Sequence, residues 1–468
     1  MTRSRVDDLT ARKGAIMKRA LGIDYKGFES GGIAFDFEGM MAASGYSLEE
    51  VRAIQAETGV GRTPLLELRN LTRLVRGISD PGKGARLFLK DEAANPSGSF
   101  KARRASVSVH HARTLGFRTV AAATSGNYGA AVASQAAMRG LDCIIVQECY
   151  DSTHRGQPEI IEKARKCEAY GAEVLQLTVG PELFAVFLDI LEETGAFNAS
   201  LYTPFGIAGV ETLGWELAEQ MRERTGRDAD AVVITNAGGG NLTGTARGLR
   251  KAGADGSAIV AASVDLSGLH MASDRDFNRK SFTTGHTGFG IPFATWPDRS
   301  DVPRSAGRPL RYMDRYLSVK QGEVFWATEA LARLEGLERG PAGNTALAAA
   351  LALAREMDQD RTVVVQETEY TGAGKHVQPQ LSFARRNGIA VRFGDPADEV
   401  PGESVVLPDD PSLIRTRDLD LDKLRTSLIR KAAEGRDAAA LPSTDIAFLA
   451  EETRTDRAFV RRALGLEE

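Results

Sequence analysis

The chain has few cysteines, and their spacing forms no recognisable pattern. Its 468 residues include only Cys143, Cys149 and Cys167, with no C-x-x-C pair among them. An odd number of cysteines without that spacing argues against a disulfide framework and against a structural zinc site. The sequence therefore predicts a reducing compartment and no metal.

The chain also lacks an excess of charge and a long apolar run. It carries 59 basic and 63 acidic residues, for a net charge of -4. That balance is not the electrostatic footprint of a nucleic-acid binder. No run approaches the roughly 18 apolar residues that span a bilayer, and no signal-like apolar region follows the polar start. We expect a cytoplasmic protein with small-molecule ligands and neither a membrane nor a nucleic-acid partner.

Short apolar runs alternate with helical patterns along most of the chain. Buried parallel strands read as runs of four to six apolar residues, and the helices between them are the crossovers such strands need. Strands are predicted at residues 86–90, 119–123, 142–146, 231–235, 259–263 and 361–366. Helices are predicted at about 102–115, 128–139 and 209–225. The pattern predicts an α/β fold of two doubly wound domains.

The predicted organisation has four parts. They are an N-terminal leader (1–60), a large domain (61–100 and 206–400), a small domain (101–205) and a C-terminal tail (401–468). Ser47 is a predicted N-cap in the leader. From residue 411 onward the tail is expected to form exposed amphipathic helices, one of them capped by Ser443, Thr444 and Asp445.

Residues 264–318 form a predicted insert with few periodic signals. A stretch of that length in a compact enzyme is usually functional or an interface. Its arginines are Arg275, Arg279, Arg299, Arg304, Arg308, Arg311 and Arg315. Nearby aspartates offset most of this charge, so the sequence leaves open an anion-binding surface and an ion-paired insert.

One stretch directly after the strand at 86–90 carries the main candidate for chemistry. It reads NPSGSFKAR over residues 95–103. A lysine becomes a Schiff-base nucleophile only when its ammonium loses a proton, and a small-residue turn between a strand and a helix can desolvate it for that purpose. Lys101 is therefore the candidate nucleophile, although a lysine in the first turn of a helix is more often a solvated surface residue.

Three further loops follow predicted strands. Backbone N–H groups of TSGNYG (124–129), with the hydroxyls of Thr124 and Ser125, can hold a carboxylate at a helix N-terminus. The glycines of AGGGNLTGT (237–245) let backbone amides converge on a phosphate. This loop fits neither a Walker loop nor G-x-G-x-x-G. The loop ETEYTGAG (367–374) offers hydroxyls and carboxylates at the carboxyl edge of the sheet.

Together these motifs resemble the fold type II, tryptophan synthase β-like, pyridoxal phosphate enzymes, such as cysteine synthase and threonine synthase. The resemblance implies that Lys101 holds the cofactor, that Asn127 faces its ring hydroxyl and that Thr368 faces its ring nitrogen. It also implies a carboxylate site formed by Thr124, Ser125 and Gly126. The implied phosphate site is formed by Gly238, Gly239, Gly240 and Asn241. The chain departs from the family in having Ala102 where an aspartate is frequent and Gly238 where a threonine is usual.

Longer segments resemble a narrower family, the β subunits of 2-amino-4-ketopentanoate thiolases of ornithine degradation. These segments are residues 29–36, 263–271, 285–290 and 366–376. The resemblance implies cleavage of 2-amino-4-oxopentanoate with coenzyme A to alanine and acetyl-CoA, or the reverse condensation. It implies a small α subunit as partner and a homodimer of this chain within a hetero-oligomer. Candidate acid/base groups or coenzyme A contacts are His270, His286, Arg275 and Arg279.

Two other functions remain open at this point. The commonest chemistry of the fold is β-replacement or β-elimination on an amino acid, in which a leaving group at Cβ takes the place of the ketone. The chain could instead be a noncatalytic pyridoxal-binding regulatory subunit, although the presence of Lys101 argues against that role.

Overall fold

The computed structural model describes residues 3–124, 126–150, 154–178, 182–200, 202–265, 304–370 and 377–466. The strands in these ranges are β1 (Leu65–Glu67), β2 (Arg86–Asp91), β3 (Thr119–Thr124), β4 (Asp142–Tyr150), β5 (Glu173–Thr178), β6 (Phe197–Asn198), β7 (Ala231–Thr235), β8 (Ala258–Val264), β9 (Arg315–Val319), β10 (Thr362–Glu367), β11 (Ala390–Gly394), β12 (Ser404–Pro408) and β13 (Arg417–Asp418).

The helices alternate with these strands. They are α1 (Arg3–Leu21), α2 (Phe37–Ala42), α3 (Leu48–Ala56), α4 (Arg69–Gly77), α5 (Lys101–Thr114), α6 (Asn127–Arg139), α7 (Pro158–Ala169), α8 (Glu182–Thr194), α9 (Pro204–Thr225), α10 (Gly240–Lys251), α11 (Gln321–Glu335), α12 (Pro341–Glu356), α13 (Val377–Arg386), α14 (Leu421–Ala432), α15 (Ser443–Thr453) and α16 (Arg457–Ala463). Within the described residues, no helix is both long and apolar enough to cross a bilayer.

The larger sheet has seven strands in the order β1-β2-β10-β7-β8-β9-β13. The five inner strands pair in parallel, whereas β1 and β13 pair antiparallel at the two edges. Every residue of β10 is buried, because helices cover both faces of a parallel sheet. The predicted doubly wound α/β architecture is confirmed.

A second parallel sheet has the order β5-β4-β3-β6 and lies wholly within residues 101–205. A separate two-stranded sheet pairs β11 with β12. The strand sets agree with the predicted large and small domains, but the domain boundaries themselves stay a prediction. In the leader, the predicted cap is present, because Ser47 and Glu50 form a reciprocal capping box at the start of α3.

The helices predicted from residue 411 onward are present as α14, α15 and α16, but two expectations were wrong. Residues 315–318, expected to be irregular, belong to β9 inside the seven-stranded sheet. The tail helices were expected to be exposed but bury Leu449 and Val460 completely, and the tail also contains the short strands β12 and β13. Short strands flanked by charged residues lack the apolar run that marks a central strand, which explains why the pattern concealed them.

Asp445 corrects the predicted helix cap. Helix α15 is capped by Pro442 without a side-chain hydrogen bond. Asp445 is fully buried, and its Oδ1 accepts hydrogen bonds from the backbone N–H groups of Ile33 (3.1 Å) and Ala34 (2.8 Å). The carboxylate therefore ties the tail to a loop of the leader.

Helices α5, α9 and α10 meet along a line of glycines, which we call the glycine seam: Gly209, Gly214 and Gly248. A Cβ at Gly209 would lie 2.0 Å from the backbone oxygen of Arg103 in α5. A Cβ at Gly214 would lie 2.0 Å from the backbone oxygen of Thr245 in α10. Backbone therefore packs directly on backbone along this seam, with no side chain between the helices.

We expect Gly209→Ala to lower the free energy of unfolding by about 1–3 kcal/mol, because the new methyl group overpacks the seam. Gly14→Ala is the matched control, since a Cβ at this position in α1 would meet nothing within 4 Å. It should raise stability by roughly 0.5–1 kcal/mol through helix propensity. Urea denaturation followed by circular dichroism measures both changes. Equal effects would contradict close packing at the seam.

Candidate active site

The lysine stretch and the final loop lie side by side at the carboxyl edge of the larger sheet. The backbone N–H of Phe100 donates to the oxygen of Thr368 (3.1 Å), and that of Tyr370 donates to the oxygen of Gly98 (2.7 Å). Ser99 and Glu369 form an antiparallel bridge between these contacts. Gly98 has a φ of 73°, and a Cβ there would lie 1.9 Å from the oxygen of Tyr370, so this position requires glycine.

Lys101 is the first residue of α5 and is partly exposed. Its Nζ lies 4.8 Å from the centre of the Phe100 ring. Burial of the ammonium lowers the pKa of Lys101 to about 7, and the positive charges of Lys163 and Arg104 lower it further, against a smaller opposing effect of Glu159. The structure thus provides the desolvation that a nucleophilic lysine needs.

The loop at 124–129 joins β3 to α6, where the positive end of the helix faces the edge of the smaller sheet. Thr124 Oγ1 accepts hydrogen bonds from the backbone N–H groups of Gly126 (2.9 Å) and Gly129 (3.2 Å). This hydroxyl therefore shapes the loop itself. Asn127 is buried, and its Oδ1 has no hydrogen-bond partner among the described residues. Ser125 lies outside the described residues.

The glycine loop joins β7 to α10, which begins at Gly240. Side chains approach its backbone closely. A Cβ at Gly238 would overlap the Tyr202 hydroxyl, and one at Gly240 would lie 2.4 Å from Nη2 of Arg104. Asn241 is buried, and its Oδ1 accepts a hydrogen bond from Gln366 Nε2 (2.8 Å), whereas its Nδ2 has no partner among the described residues.

Two buried cations beside these loops were not identified from the sequence. Arg104 is 2 % exposed and lies beside Gly240, one helical turn after Lys101. Lys163 is 3 % exposed, and a Cβ at Gly126 would lie 2.4 Å from its Cδ and 3.1 Å from its Nζ. The i, i+3 spacing of Lys101 and Arg104 on one helix was a usable signal. Glu159 and Lys163 have the i, i+4 spacing of an ordinary helical ion pair, which by itself does not indicate a site.

The remaining predicted residues divide into two groups. Three described arginines of the insert are ion-paired with carboxylates: Arg308 with Glu452, Arg311 with Glu451, and Arg315 with Asp418. These three are thus ion-paired, but with carboxylates of the C-terminal tail and not with the aspartates of the insert on which the prediction rested. His270, His286, Arg275 and Arg279 lie outside the described residues. Where the structure describes the chain, no group of histidine, cysteine or acidic residues is arranged to hold a metal ion.

The residues present fit pyridoxal phosphate. Lys101 is a desolvated amine, the glycine loop leads directly into the N-terminus of α10, and the amides of Asn127 and Asn241 retain unused polar atoms in buried positions. Thr368 is buried beside the lysine stretch, as its backbone contact with Phe100 shows. These groups could hold an amine-reactive, phosphate-bearing ring in a water-poor site.

The low pKa of Lys101 predicts how the protein without cofactor takes up pyridoxal phosphate. Only the unprotonated amine attacks the aldehyde, so the attachment rate should rise with pH through about 7 and level off above it. Stopped-flow absorbance measures this rate. Nα-acetyl-lysine, which keeps a free side-chain amine, is the control. Its rate of attachment to pyridoxal phosphate should keep rising toward about pH 10. A midpoint above about 9 for the protein would contradict the desolvation of Lys101.

Comparison with known proteins shows which family the chain belongs to. The model of the pyridoxal-phosphate dependent enzyme family matches residues 56–369. The 2-amino-4-ketopentanoate thiolase beta subunit of Acetoanaerobium sticklandii is 68% identical over 97% of each chain. A probable cysteine synthase of Bacillus subtilis is 28% identical over 65% of this chain and 90% of its own.

Solved structures show the same fold. The threonine deaminase of T.th. superposes with a TM-score of 0.52 at 27% identity, covering 70% of this chain and all of its own. Serine racemase of Dictyostelium discoideum superposes with a TM-score of 0.53 at 19% identity, covering 70% of this chain and 99% of its own. The chain belongs to the family of pyridoxal-phosphate dependent enzymes, with pyridoxal phosphate as its cofactor and the type II fold.

Proposed function

We propose that this chain is the β subunit of a thiolase that cleaves 2-amino-4-oxopentanoate with coenzyme A to alanine and acetyl-CoA. The observation that carries the proposal is the 68% identity, over 97% of both chains, to the thiolase beta subunit of A. sticklandii. The lysine site described above would supply the amine that such chemistry requires.

The reaction breaks the bond between Cβ and Cγ of the substrate and forms a bond between the coenzyme A sulfur and Cγ. The acetyl group leaves as a thioester, and the three remaining carbons gain one proton to become alanine. The bound cofactor supplies an electron sink next to Cα. Lys101 Nζ takes the proton from Cα, and after the bond breaks Cβ and Cα each gain one proton. One of the two is the proton held on Lys101 and the other is the proton given up by the coenzyme A thiol. A pKa near 7 lets Lys101 act as base and as acid at neutral pH.

The other site residues bind and orient. Asn127 is proposed to face the ring hydroxyl, and Thr368 the ring nitrogen. Gly238, Gly239, Gly240 and Asn241 are proposed to hold the phosphate. The backbone of Thr124, Ser125 and Gly126 would receive the substrate carboxylate. A neutral hydroxyl at Thr368 leaves the ring nitrogen largely unprotonated, which limits side reactions at Cα.

An enzyme thiol is not needed for the thioester step. The three cysteines are buried free thiols. Burial raises the pKa of Cys149 to about 12, so its thiolate is scarce at neutral pH. Coenzyme A is therefore proposed to attack the substrate directly.

A subunit named beta implies a second subunit. We propose a small α subunit as that partner, a homodimer of this chain within the complex and a cytoplasmic location. Arg308, Arg311 and Arg315 already have carboxylate partners. Coenzyme A contacts are therefore proposed for His270, His286, Arg275 and Arg279 or for the α subunit.

Copurification with the α subunit and product analysis test the function. The complex, given 2-amino-4-oxopentanoate and coenzyme A, should release alanine and acetyl-CoA in equal amounts. Given O-acetylserine and sulfide, it should form no cysteine. Cysteine formation without thioester formation would instead favour the β-replacement chemistry implied by the likeness to the B. subtilis protein. An inert complex would favour a regulatory subunit.

A further inference from the structure

We propose that two buried cations bind the two anionic ends of the ligands in this site: Arg104 binds the phosphate of the cofactor, and Lys163 binds the carboxylate of the amino acid. We call them the two anchors. Neither belongs to the lysine motif or to the loop motifs, which offer only backbone amides, hydroxyls and side-chain amides. Each anchor lies against one of the two loops proposed to bind an anion. The positive charges of both anchors lower the pKa of Lys101.

Arg104 is placed for the phosphate by helix α5. It follows Lys101 by three residues, so both side chains emerge from the same face of the helix. Its Nη2 lies 2.4 Å from the position that a Cβ on Gly240 would occupy, at the first residue of α10. A ring-stacked guanidinium has a fixed orientation, and Arg104 lies 5.5 Å from the centre of the Phe100 ring. A planar guanidinium beside amide donors matches the geometry of a phosphate.

Lys163 is placed for the carboxylate by helix α7. Its Cδ and Nζ pack on Gly126, at the point where the loop after β3 turns into α6. Its Nζ donates to Glu159 Oε1 at 2.5 Å, and Glu159 Oε2 in turn accepts from Gln380 at 3.4 Å. Glu159 therefore links the ammonium of Lys163 to Gln380 in α13, and this contact fixes the position of the ammonium. An ammonium has three donors, so one hydrogen bond to Glu159 leaves further donors for a ligand.

The electrostatics of the pocket favour this assignment. A phosphate and a carboxylate carried into a buried site lose their hydration, and glycine amides supply only partial charges in return. Lys163 affects the pKa of Lys101 more strongly than Glu159 does, and in the opposite direction, so the pair presents its positive end toward Lys101. Arg104 adds a second positive charge beside Gly240. A positive charge therefore lies next to each of the two loops proposed to bind an anion.

Arg104→Met and Lys163→Met test the two anchors and serve as controls for each other. The first readout is the affinity of the protein without cofactor for pyridoxal phosphate and for pyridoxal, which lacks the phosphate. Arg104→Met should weaken pyridoxal phosphate binding relative to pyridoxal binding by at least about tenfold, since a charge-assisted hydrogen bond is worth about 1.5–3 kcal/mol. Lys163→Met should change both affinities by the same factor, because loss of its charge acts on both aldehydes only through the pKa of Lys101.

The second readout is spectral titration of the cofactor-loaded protein with alanine and with alaninamide, which lacks the carboxylate. Lys163→Met should weaken alanine binding by at least about tenfold and spare alaninamide, whereas Arg104→Met should affect both ligands alike. The choice of alanine rests on the proposed function. The charge-conserving variant Arg104→Lys should retain most of the preference for pyridoxal phosphate over pyridoxal. Lys163→Arg should retain most of the preference for alanine over alaninamide. Should a methionine variant fail to fold, the glutamine variant at the same position carries the same expectations.

Equal losses for pyridoxal phosphate and pyridoxal in Arg104→Met would overturn the phosphate anchor. Equal losses for alanine and alaninamide in Lys163→Met would overturn the carboxylate anchor and reduce Lys163 to a structural partner of Glu159. Failure of the unaltered protein to bind alanine would also overturn the carboxylate anchor. By contrast, a complex that binds alanine with the expected preferences but makes no acetyl-CoA would contradict the proposed thiolase function and leave both anchors in place.

Discussion

Lys101→Ala is expected to remove the visible absorbance of the lysine-bound cofactor and to lower turnover by at least about 10⁴-fold. The reason is that Nζ of Lys101 is both the proposed attachment point and the proposed proton carrier, and α5 contains no second lysine. Absorbance spectra and acetyl-CoA formation by the complex with the α subunit measure the two losses separately.

Two variants control for this result. Lys101→Arg keeps the positive charge but cannot attach the cofactor, so it should be as inactive as Lys101→Ala. Lys26→Ala removes an exposed lysine of the leader and should leave spectrum and turnover unchanged. Full activity of Lys101→Ala would refute the assignment of the site.

Arg103→Met is expected to lower the free energy of unfolding by about 3–5 kcal/mol, the typical effect of breaking a buried ion pair. Arg103 and Glu92 are both completely buried. Two hydrogen bonds join them, Nε to Oε2 at 2.7 Å and Nη2 to Oε1 at 2.8 Å. Glu216 also accepts from Arg103 at 3.1 Å. Removal of the guanidinium leaves Glu92 charged and unneutralised inside the protein.

Urea denaturation of the unaltered protein and of Arg103→Met measures this difference in the free energy of unfolding. Arg52→Met is the matched control. Arg52 pairs with Glu219 at 3.4 Å on the surface, where an ion pair contributes about 0.2–1 kcal/mol. A loss below about 1 kcal/mol in Arg103→Met would show that the buried network adds nothing beyond a surface pair. Lys101 and Arg103 lie two residues apart on α5 and differ in role: Lys101 is the proposed nucleophile, whereas Arg103 ties α5 to Glu92.

The sequence predicted those parts of the protein in which local pattern and tertiary role agree. The apolar runs at residues 231–234 and 363–365 lie in buried strands, because no polar residue interrupts them. Lys101 was recognisable because a small-residue turn, a strand and a helix follow one another in a short stretch. The contact between residues 98–100 and 368–370 followed from parallel strands ending at one edge.

Other features depend on contacts between residues distant in sequence. Asp445 has the spacing of a helix cap, yet it accepts hydrogen bonds from residues more than 400 positions earlier. Lys163 has the spacing of a surface ion pair, yet helix packing buries it against Gly126. Local composition is the same in both outcomes, because burial is decided by which elements pack together. Those positions could be assigned only from the fold.

The glycine seam also fixes a distance within the candidate active site. It joins α5, which carries Lys101, to α10, which follows the glycine loop, through backbone contacts with α9. A spacing set by main chain does not respond to exchanges of the surrounding side chains. In this chain, substitutions elsewhere in the site could therefore alter what the site accepts without moving Lys101 relative to the glycine loop.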